Sequence, residues 1–322
     1  MERCIYQVAL MALLCFGGFL CRKLKLVSIE GNRCLSALVL NVANPATIIK
    51  AFMIEYDSAH VSGLLFSGLL AVISIVVSIA AANIFFRGKD KCKRSIERFT
   101  AVYTNSSFLG LPLVQGIFGD MGVFFLAAYI AVFNIFIWTH GELSMAKAFS
   151  HGTAPVHTRG TALLKALKSP SLIAVAIGLL CFFMQIRLPK MAADTVGFAA
   201  GLTVPLAMIV AGVTISQTDL RGLFKKWRLY YVSFVELIII PVILIGLFWL
   251  MNLLPLSVDS LPFGVTVVSA ACPAATIGVI LALKYDGKGV ESLYAAEIFA
   301  MTTLLCLPAL PLIMGLFEWV FK

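Results

Sequence analysis

Long apolar runs, each bounded by charged residues, glycine or proline, dominate the pattern of this chain. A bilayer core about 30 Å thick needs roughly 20 apolar residues of α-helix, and the runs have about this length. The pattern therefore predicts ten membrane-spanning helices joined by short connections. They lie at residues 5–20, 34–53, 60–86, 97–118, 121–143, 171–186, 195–216, 229–251, 262–284 and 290–314.

The composition agrees with a lipid environment. Of the 322 residues, 61% are hydrophobic and only 13% are charged, which leaves too little polar surface to cover a water-soluble globule. We therefore predict an all-α membrane protein without a soluble domain. The net charge of +9 does not indicate nucleic acid binding, because the basic residues lie in the gaps between apolar runs.

The basic residues are divided unequally between alternate connections. Twenty Lys and Arg fall on one predicted side and four on the other, and Lys50 lies within a span, which accounts for all 25. Positive residues concentrate on the cytoplasmic side of membrane proteins. We expect a protein of the plasma or inner membrane with both termini outside the cytoplasm.

Five spans in each half imply that any internal repeat is inverted. Pro45 and Pro205 are 160 residues apart, and Pro112 and Pro273 are 161 apart. These matched spacings predict two inverted five-helix repeats at residues 1–143 and 170–322. Residues 144–169 are predicted to form a cytoplasmic linker.

Two predicted spans carry a proline near their middle, beside small or polar residues. A proline leaves a backbone carbonyl without its helical partner, so such helices face the protein interior or a cavity. If the fourth and ninth spans are discontinuous and cross at these positions, two helix N-termini provide a seat for a carboxylate. The alternative is that both prolines only kink packing helices. The candidate substrate-binding residues are Asn105, Ser106, Ser107, Gly110, Pro112, Cys272, Pro273 and Thr276.

Other polar residues within spans have both functional and structural interpretations. Asn41 and Asn44 share one helix face, where they bind substrate or form interhelical hydrogen bonds. Lys50 either extends to the interface or attracts an anion. Glu236 and Glu297 are the two carboxylates placed well inside spans, and they either couple protons to transport or pair with nearby basic residues.

Signatures of enzymes and metal sites do not occur in the sequence. There is no P-loop, no GxSxG and no glycine-rich dinucleotide fingerprint. The eight cysteines form no CxxC motif and have no histidine at metal-ligand spacing. We expect neither a cofactor nor a metal site.

Four segments carry a resemblance to a known family, and they lie at residues 38–46, 105–112, 133–139 and 271–276. These segments resemble the auxin efflux carrier family in its short bacterial form, which is related to the sodium and bile acid symporters. The resemblance implies ten helices with a scaffold and a transport domain that moves like an elevator. It places the crossing of the fourth and ninth helices at residues 110–112 and 272–273, with Asn105 contacting a carboxylate.

The resemblance also implies a function. It favours a permease for a mono- or dicarboxylate such as malate, malonate or an auxin-like acid, driven by membrane potential or protons. The alternatives are a sodium-coupled symporter and, as a different class, a membrane-embedded enzyme or a channel. The expected partners are the carboxylate, protons and the lipid bilayer, with a homodimer as a further candidate. Cys272 and Glu236 depart from the residues common in relatives.

Overall fold

A computed structural model describes residues 2–149, 167–217, 220–253, 260–286 and 290–322. These residues form helices, with no strands beyond one isolated bridge between residues 104 and 274. Besides the short helix Leu220–Leu223, the helices are α1 Glu2–Lys23, α2 Ile29–Ala51, α3 Ser58–Phe85, α4 Lys91–Val102, α5 Ser106–Phe149, α6 Pro170–Met184, α7 Lys190–Ile215, α8 Trp227–Asn252, α9 Leu261–Ala270, α10 Thr276–Tyr285 and α11 Val290–Val320.

Seven of the described helices are long and apolar enough to cross a membrane, namely α1, α2, α3, α5, α7, α8 and α11. Helices α6, α9 and α10 are shorter but also apolar. An all-α membrane protein is therefore confirmed. The predicted linker 144–169 lies largely outside the described residues, and its first residues, up to Phe149, continue α5.

Helix α5 is interrupted at Gly119, which has φ 67° and ψ −157°, a conformation that suits glycine. The chain turns back at this point. A Cβ on Gly122 would lie 3.0 Å from Cγ1 of Val114, although residues eight apart in a straight helix are about 12 Å apart. The predicted boundary between the fourth and fifth spans therefore coincides with a real turn.

Three of the four π-helical turns in the described residues end two residues before a proline. The proline ring clashes with the carbonyl four residues earlier and cannot donate a hydrogen bond to it, and the wider π turn accommodates both defects. The pairs of π turn and proline are Val39–Ala43 with Pro45, Ser106–Gly110 with Pro112, and Val235–Ile239 with Pro241. Proline thus shapes these helices without breaking them.

Helices α1 and α7 cross at very short distance through two glycines. A Cβ added to Gly18 would lie 2.2 Å from the backbone oxygen of Ile209, and one added to Gly212 would lie 1.8 Å from that of Cys15. Membrane helices that approach this closely need small residues at the contact. Asn32, near the start of α2, also contacts α7, because its Nδ2 donates a 3.1 Å hydrogen bond to Thr214 Oγ1.

Candidate functional site

Two breaks between helices meet at the centre of the molecule. One separates α4 from α5 at residues 103–105, and the other separates α9 from α10 at residues 271–275. The two segments run antiparallel and exchange main-chain hydrogen bonds. Asn105 N–H donates to the carbonyl of Pro273 at 2.7 Å, and Ala275 N–H donates to that of Tyr103 at 2.9 Å.

The first break is not where the resemblance placed it. The chain leaves the helix at Tyr103, and Gly110 and Pro112 lie beyond the break, in the first turns of α5. The π turn before Pro112 keeps the helix continuous at the proline. Gly110 still contacts the other segment, because a Cβ there would lie 3.0 Å from the Sγ of Cys272. The second break, at residues 271–275, includes the predicted positions 272 and 273.

Side chains at the breaks hold the two segments together. Thr104 Oγ1 donates to the carbonyl of Ser269 at 2.7 Å and lies 2.8 Å from Ser106 Oγ. On the opposite side, Ala274 N–H donates to Thr302 Oγ1 at 3.2 Å. Ser106 and Cys272 are fully buried, so they support the breaks and do not face open space.

A cavity of about 320 Å³ opens beside the two breaks. Among the predicted binding residues, Asn105, Ser107 and Thr276 line it. Its walls otherwise come mainly from apolar side chains of α2, α5, α7, α10 and α11. They include Leu40, Phe108, Phe133, Trp138, Val210, Ile277 and Phe299. This volume lies within the usual range for sites that bind small molecules.

Two helix N-termini open onto this cavity. Asn105 and Ser107 stand at the beginning of α5, and Ala275 and Thr276 at the beginning of α10. No side chain caps either end, so the first-turn N–H groups are available to a ligand. Helix N-termini carry partial positive charge and bind anions.

Asn105 combines deep burial with an unused donor. Its residue is 7% exposed, and its Nδ2 has no hydrogen-bond partner among the described residues. An unpaired buried amide costs about 1–3 kcal/mol, which a ligand acceptor in the cavity would recover. The Nδ2 atom itself is buried, and the residue lies in the wall of the cavity.

The two asparagines of α2 have different surroundings. Asn41 is exposed, and its Nδ2 bonds the carbonyl of Ala37 in its own helix at 2.8 Å. Asn44 is buried, and its Nδ2 donates to the carbonyl of Ser107 at 2.6 Å. Asn44 thus ties α2 to the first turn of α5, while its Oδ1 lacks a partner in the described residues.

The candidate coupling residues are not brought together. Lys50 pairs with Asp120 at 3.1 Å, and Glu297 pairs with Lys226 at 2.6 Å. Glu236 is fully buried in the π turn of α8, and both of its oxygens lack hydrogen-bond partners in the part of the chain described. Ser233, one turn earlier, is also buried with an unpartnered hydroxyl.

Sequence reasoning missed two further buried carboxylates, because Glu97 and Glu142 lie at the ends of predicted spans. Glu97 is 3% exposed and accepts bonds from Arg228 Nε at 2.7 Å, Arg228 Nη2 at 2.6 Å and Tyr294 at 2.8 Å. Glu142 is 5% exposed and pairs with Lys284 at 2.7 Å. Both ion pairs join distant parts of the chain. The sequence singled out only Glu236 and Glu297 as candidates, so these two buried, paired carboxylates are additional to them.

Removing the partner of Glu97 is expected to destabilise the protein. In Arg228→Gln the buried carboxylate loses its ion pair, which costs about 2 kcal/mol after allowance for the half-exposed arginine. The control Lys93→Gln breaks only the exposed pair with Asp90 and should change stability by less than about 0.5 kcal/mol. Thermal unfolding in detergent measures both. Equal stability of the two variants would contradict the structural role of Glu97.

Comparison with known proteins gives a family for nearly the whole chain. Residues 4–314 match the family described as "Membrane transport protein". An uncharacterized transporter from Methanothermobacter thermautotrophicus is 30% identical, and the alignment covers 92% of each chain. An uncharacterized transporter from Methanocaldococcus jannaschii is 24% identical over 97% of each chain.

Proposed function

We propose that this chain, which belongs to the membrane transport protein family of the auxin efflux carriers, is a secondary carrier for a small organic anion. The observation that supports this proposal is the cavity at which two uncapped helix N-termini and the unpaired amide of Asn105 converge. Such a site offers N–H donors and partial positive charge without a full cation. These groups suit a carboxylate.

The substrate class follows from the lining of the cavity. Apolar and aromatic walls next to a few N–H donors favour a mono- or dicarboxylate with a small organic body. Malate, malonate and an auxin-like acid are the candidates. Asn105, Ser107 and Thr276 are the proposed contacts, while Ser106, Gly110, Cys272 and Pro273 shape the breaks.

The proposed mechanism is alternating access. In this proposal ten spans form two inverted repeats. The fourth span consists of α4 and the part of α5 before Gly119, and the ninth span consists of α9 and α10. The broken helices would carry the substrate past α1, α2 and α7 as an elevator. The cavity supports this view, because its walls combine residues of the breaks with Ser36, Leu40, Val210 and Thr214.

A thermal-shift screen of the purified protein against mono- and dicarboxylates tests the proposal. A ligand that binds only the folded state stabilises it by about 2.7 kcal/mol at a hundredfold excess over its dissociation constant. Uptake into liposomes then distinguishes a carrier from a channel, because a carrier saturates at low turnover. A screen without any stabilising carboxylate, together with absent uptake, would overturn the proposal.

Sodium coupling is the alternative, and one observation favours it. The buried Oδ1 of Asn44 is an acceptor without a partner among the described residues, and oxygen ligands of this kind hold hard cations. The hydroxyl of Thr47 already has a hydrogen-bond partner, because its Oγ1 lies 2.7 Å from Thr203 Oγ1. Uptake that requires an imposed sodium gradient would support this alternative over proton or potential coupling.

Proton coupling, if it drives transport, is proposed to act through Glu236. A fully buried carboxyl without hydrogen-bond partners is stable only when it is neutral. If the transport cycle exposes Glu236 to water and buries it again, the side chain would release a proton on exposure and take one up before burial. The ionisable groups on the adjoining elements include Glu97, which accepts hydrogen bonds from Arg228 and Tyr294, and the thiols of Cys272 and Cys306.

The variant Glu236→Gln is therefore expected to bind substrate while its uptake no longer responds to an imposed pH gradient. Glutamine keeps the size of the side chain but cannot release a proton at physiological pH. Glu297→Gln is the matched control, because Glu297 is held by Lys226 and should leave the response intact. Uptake by Glu236→Gln that follows the pH gradient as in the parent protein would remove this residue from coupling.

A further inference from the structure

A second cavity, of about 350 Å³, lies between the ends of α3, α4 and α5. Its lining differs from that of the central cavity. Four basic side chains face it, and no carboxylate occurs among its described lining residues. These side chains are Lys91, Arg94, Arg98 and Lys147.

The two arginines are held in place by main-chain carbonyls. Arg98 donates from Nε and Nη2 to the carbonyl of Phe86 at 3.0 and 2.8 Å, and Arg94 donates from Nη1 to that of Gly88 at 2.8 Å. These bonds orient the guanidinium groups, and neither arginine forms an ion pair with a carboxylate among the described residues. The cavity therefore presents fixed donors before any ligand arrives.

The two lysines keep their charges available. Lys91 and Lys147 are exposed, and neither forms an ion pair within the described ranges. Four positive charges around one small cavity repel each other, so the arrangement is stabilised by an anion that lies between them. Arginine forks and lysine ammonium groups together are the usual donors for phosphate oxygens.

This cavity is distinct from the central one. Its described walls come from α3, from α4 up to Tyr103, and from the part of α5 after Gly119. None of them comes from α2, α7 or α10. It nevertheless reaches the breaks through Tyr103. The hydroxyl of Tyr103 lies 2.8 Å from His140 Nδ1, and its carbonyl accepts the N–H of Ala275.

We propose that the cavity between α3, α4 and α5 binds a phosphate-bearing anion. The phosphate would lie between the fixed guanidinium groups and the two lysines. Its source is either the headgroup of an anionic phospholipid or a soluble phosphate compound. The positively charged connections are predicted to lie on the cytoplasmic side, where both sources are present. The proposal goes beyond the carboxylate site and does not depend on it.

Thermal unfolding of the purified full-length protein tests the proposal with two ligands. Inorganic pyrophosphate is added at constant ionic strength against sodium chloride, and phosphatidylglycerol is added in mixed micelles against phosphatidylcholine. We expect at least one to raise the melting temperature by about 5 °C at a hundredfold excess over its dissociation constant. Stabilisation by phosphatidylglycerol alone identifies a lipid site, and stabilisation by pyrophosphate identifies a soluble ligand.

The matched variants locate the effect. Lys91→Gln with Lys147→Gln should weaken binding at least tenfold, whereas Arg33→Gln with Lys225→Gln removes two exposed charges outside the cavity and should not. Lys147→Gln alone replaces the first variant if the double change lowers the yield of folded protein. No stabilisation by either ligand beyond its control, or equal weakening in both double variants, would overturn the proposal.

Discussion

Asn105→Leu is expected to weaken carboxylate binding by between tenfold and about a hundredfold. A hydrogen bond to a charged group contributes about 1.5–3 kcal/mol, and leucine has the same branched side-chain skeleton as asparagine but offers no donor. Because Asn105 is 7% exposed and its Nδ2 has no partner among the described residues, the change removes a contact to the ligand without breaking a side-chain hydrogen bond of the fold. Fold stability should therefore stay unchanged or increase slightly.

Isothermal titration of the purified protein with the carboxylate identified by thermal shift measures this effect. Asn41→Leu is the matched control, because Asn41 is exposed on α2 and bonds only within its own helix. Its affinity should remain within a factor of about two of the parent value. Affinities that are unchanged in both Asn105→Leu and Thr276→Leu would show that the substrate binds elsewhere.

Gly18→Ala is expected to prevent normal folding, although it adds a single methyl group. The new Cβ would lie 2.2 Å from the backbone oxygen of Ile209 and 2.8 Å from its Cα. Backbone atoms cannot rotate away as a side chain can, so α1 and α7 must separate. Overpacking in a well-packed core costs about 1–3 kcal/mol, and a clash with backbone should reach at least the upper end of this range.

Gly17→Ala is a control at the neighbouring position. A Cβ on Gly17 meets no atom within 4 Å, and alanine has a higher helix propensity than glycine, so this variant should be at least as stable as the parent protein. Size-exclusion profiles in detergent and melting temperatures compare the two variants. Equal behaviour of Gly17→Ala and Gly18→Ala would mean that α1 and α7 do not cross at Gly18.

Several parts of the fold were predictable from local sequence. Apolar runs of about 20 residues form helices in lipid because each backbone group must bond within its own segment. Long apolar helices and the boundary at Gly119 were predictable in this way. The motifs also indicated the family, because residues 105–112 combine small polar residues with glycine and proline, and residues 271–276 place a proline among small residues.

The position of the first break could not be predicted in the same way. Proline is the visible signal for a broken helix, but Pro112 is accommodated by a π turn, and the chain leaves the helix at Tyr103. The break is stabilised by two hydrogen bonds to residues about 170 positions away, at Pro273 and Ala275. Such partners are not encoded in the neighbouring residues.

The roles of the charged residues also depended on distant partners. Glu97 and Glu142 look like ordinary residues at the ends of helices, and they are buried because Arg228 and Lys284 reach them from the other half of the chain. Glu236 has the same residue type but no partner among the described residues. The residue type and its neighbours in the sequence therefore do not show whether a glutamate is paired in the folded protein.

The sequence by itself determined that the chain is a multi-pass helical membrane protein of a transporter family, because hydropathy and turn chemistry act over a few neighbouring residues. Only the tertiary structure decided which helices meet at the breaks, that Asn105 keeps a free donor beside the cavity, and which acids are paired. These properties arise from contacts between segments that lie far apart in the sequence, for example 70 residues for Lys50 and Asp120 and 142 for Glu142 and Lys284. They follow from packing, which no local pattern records.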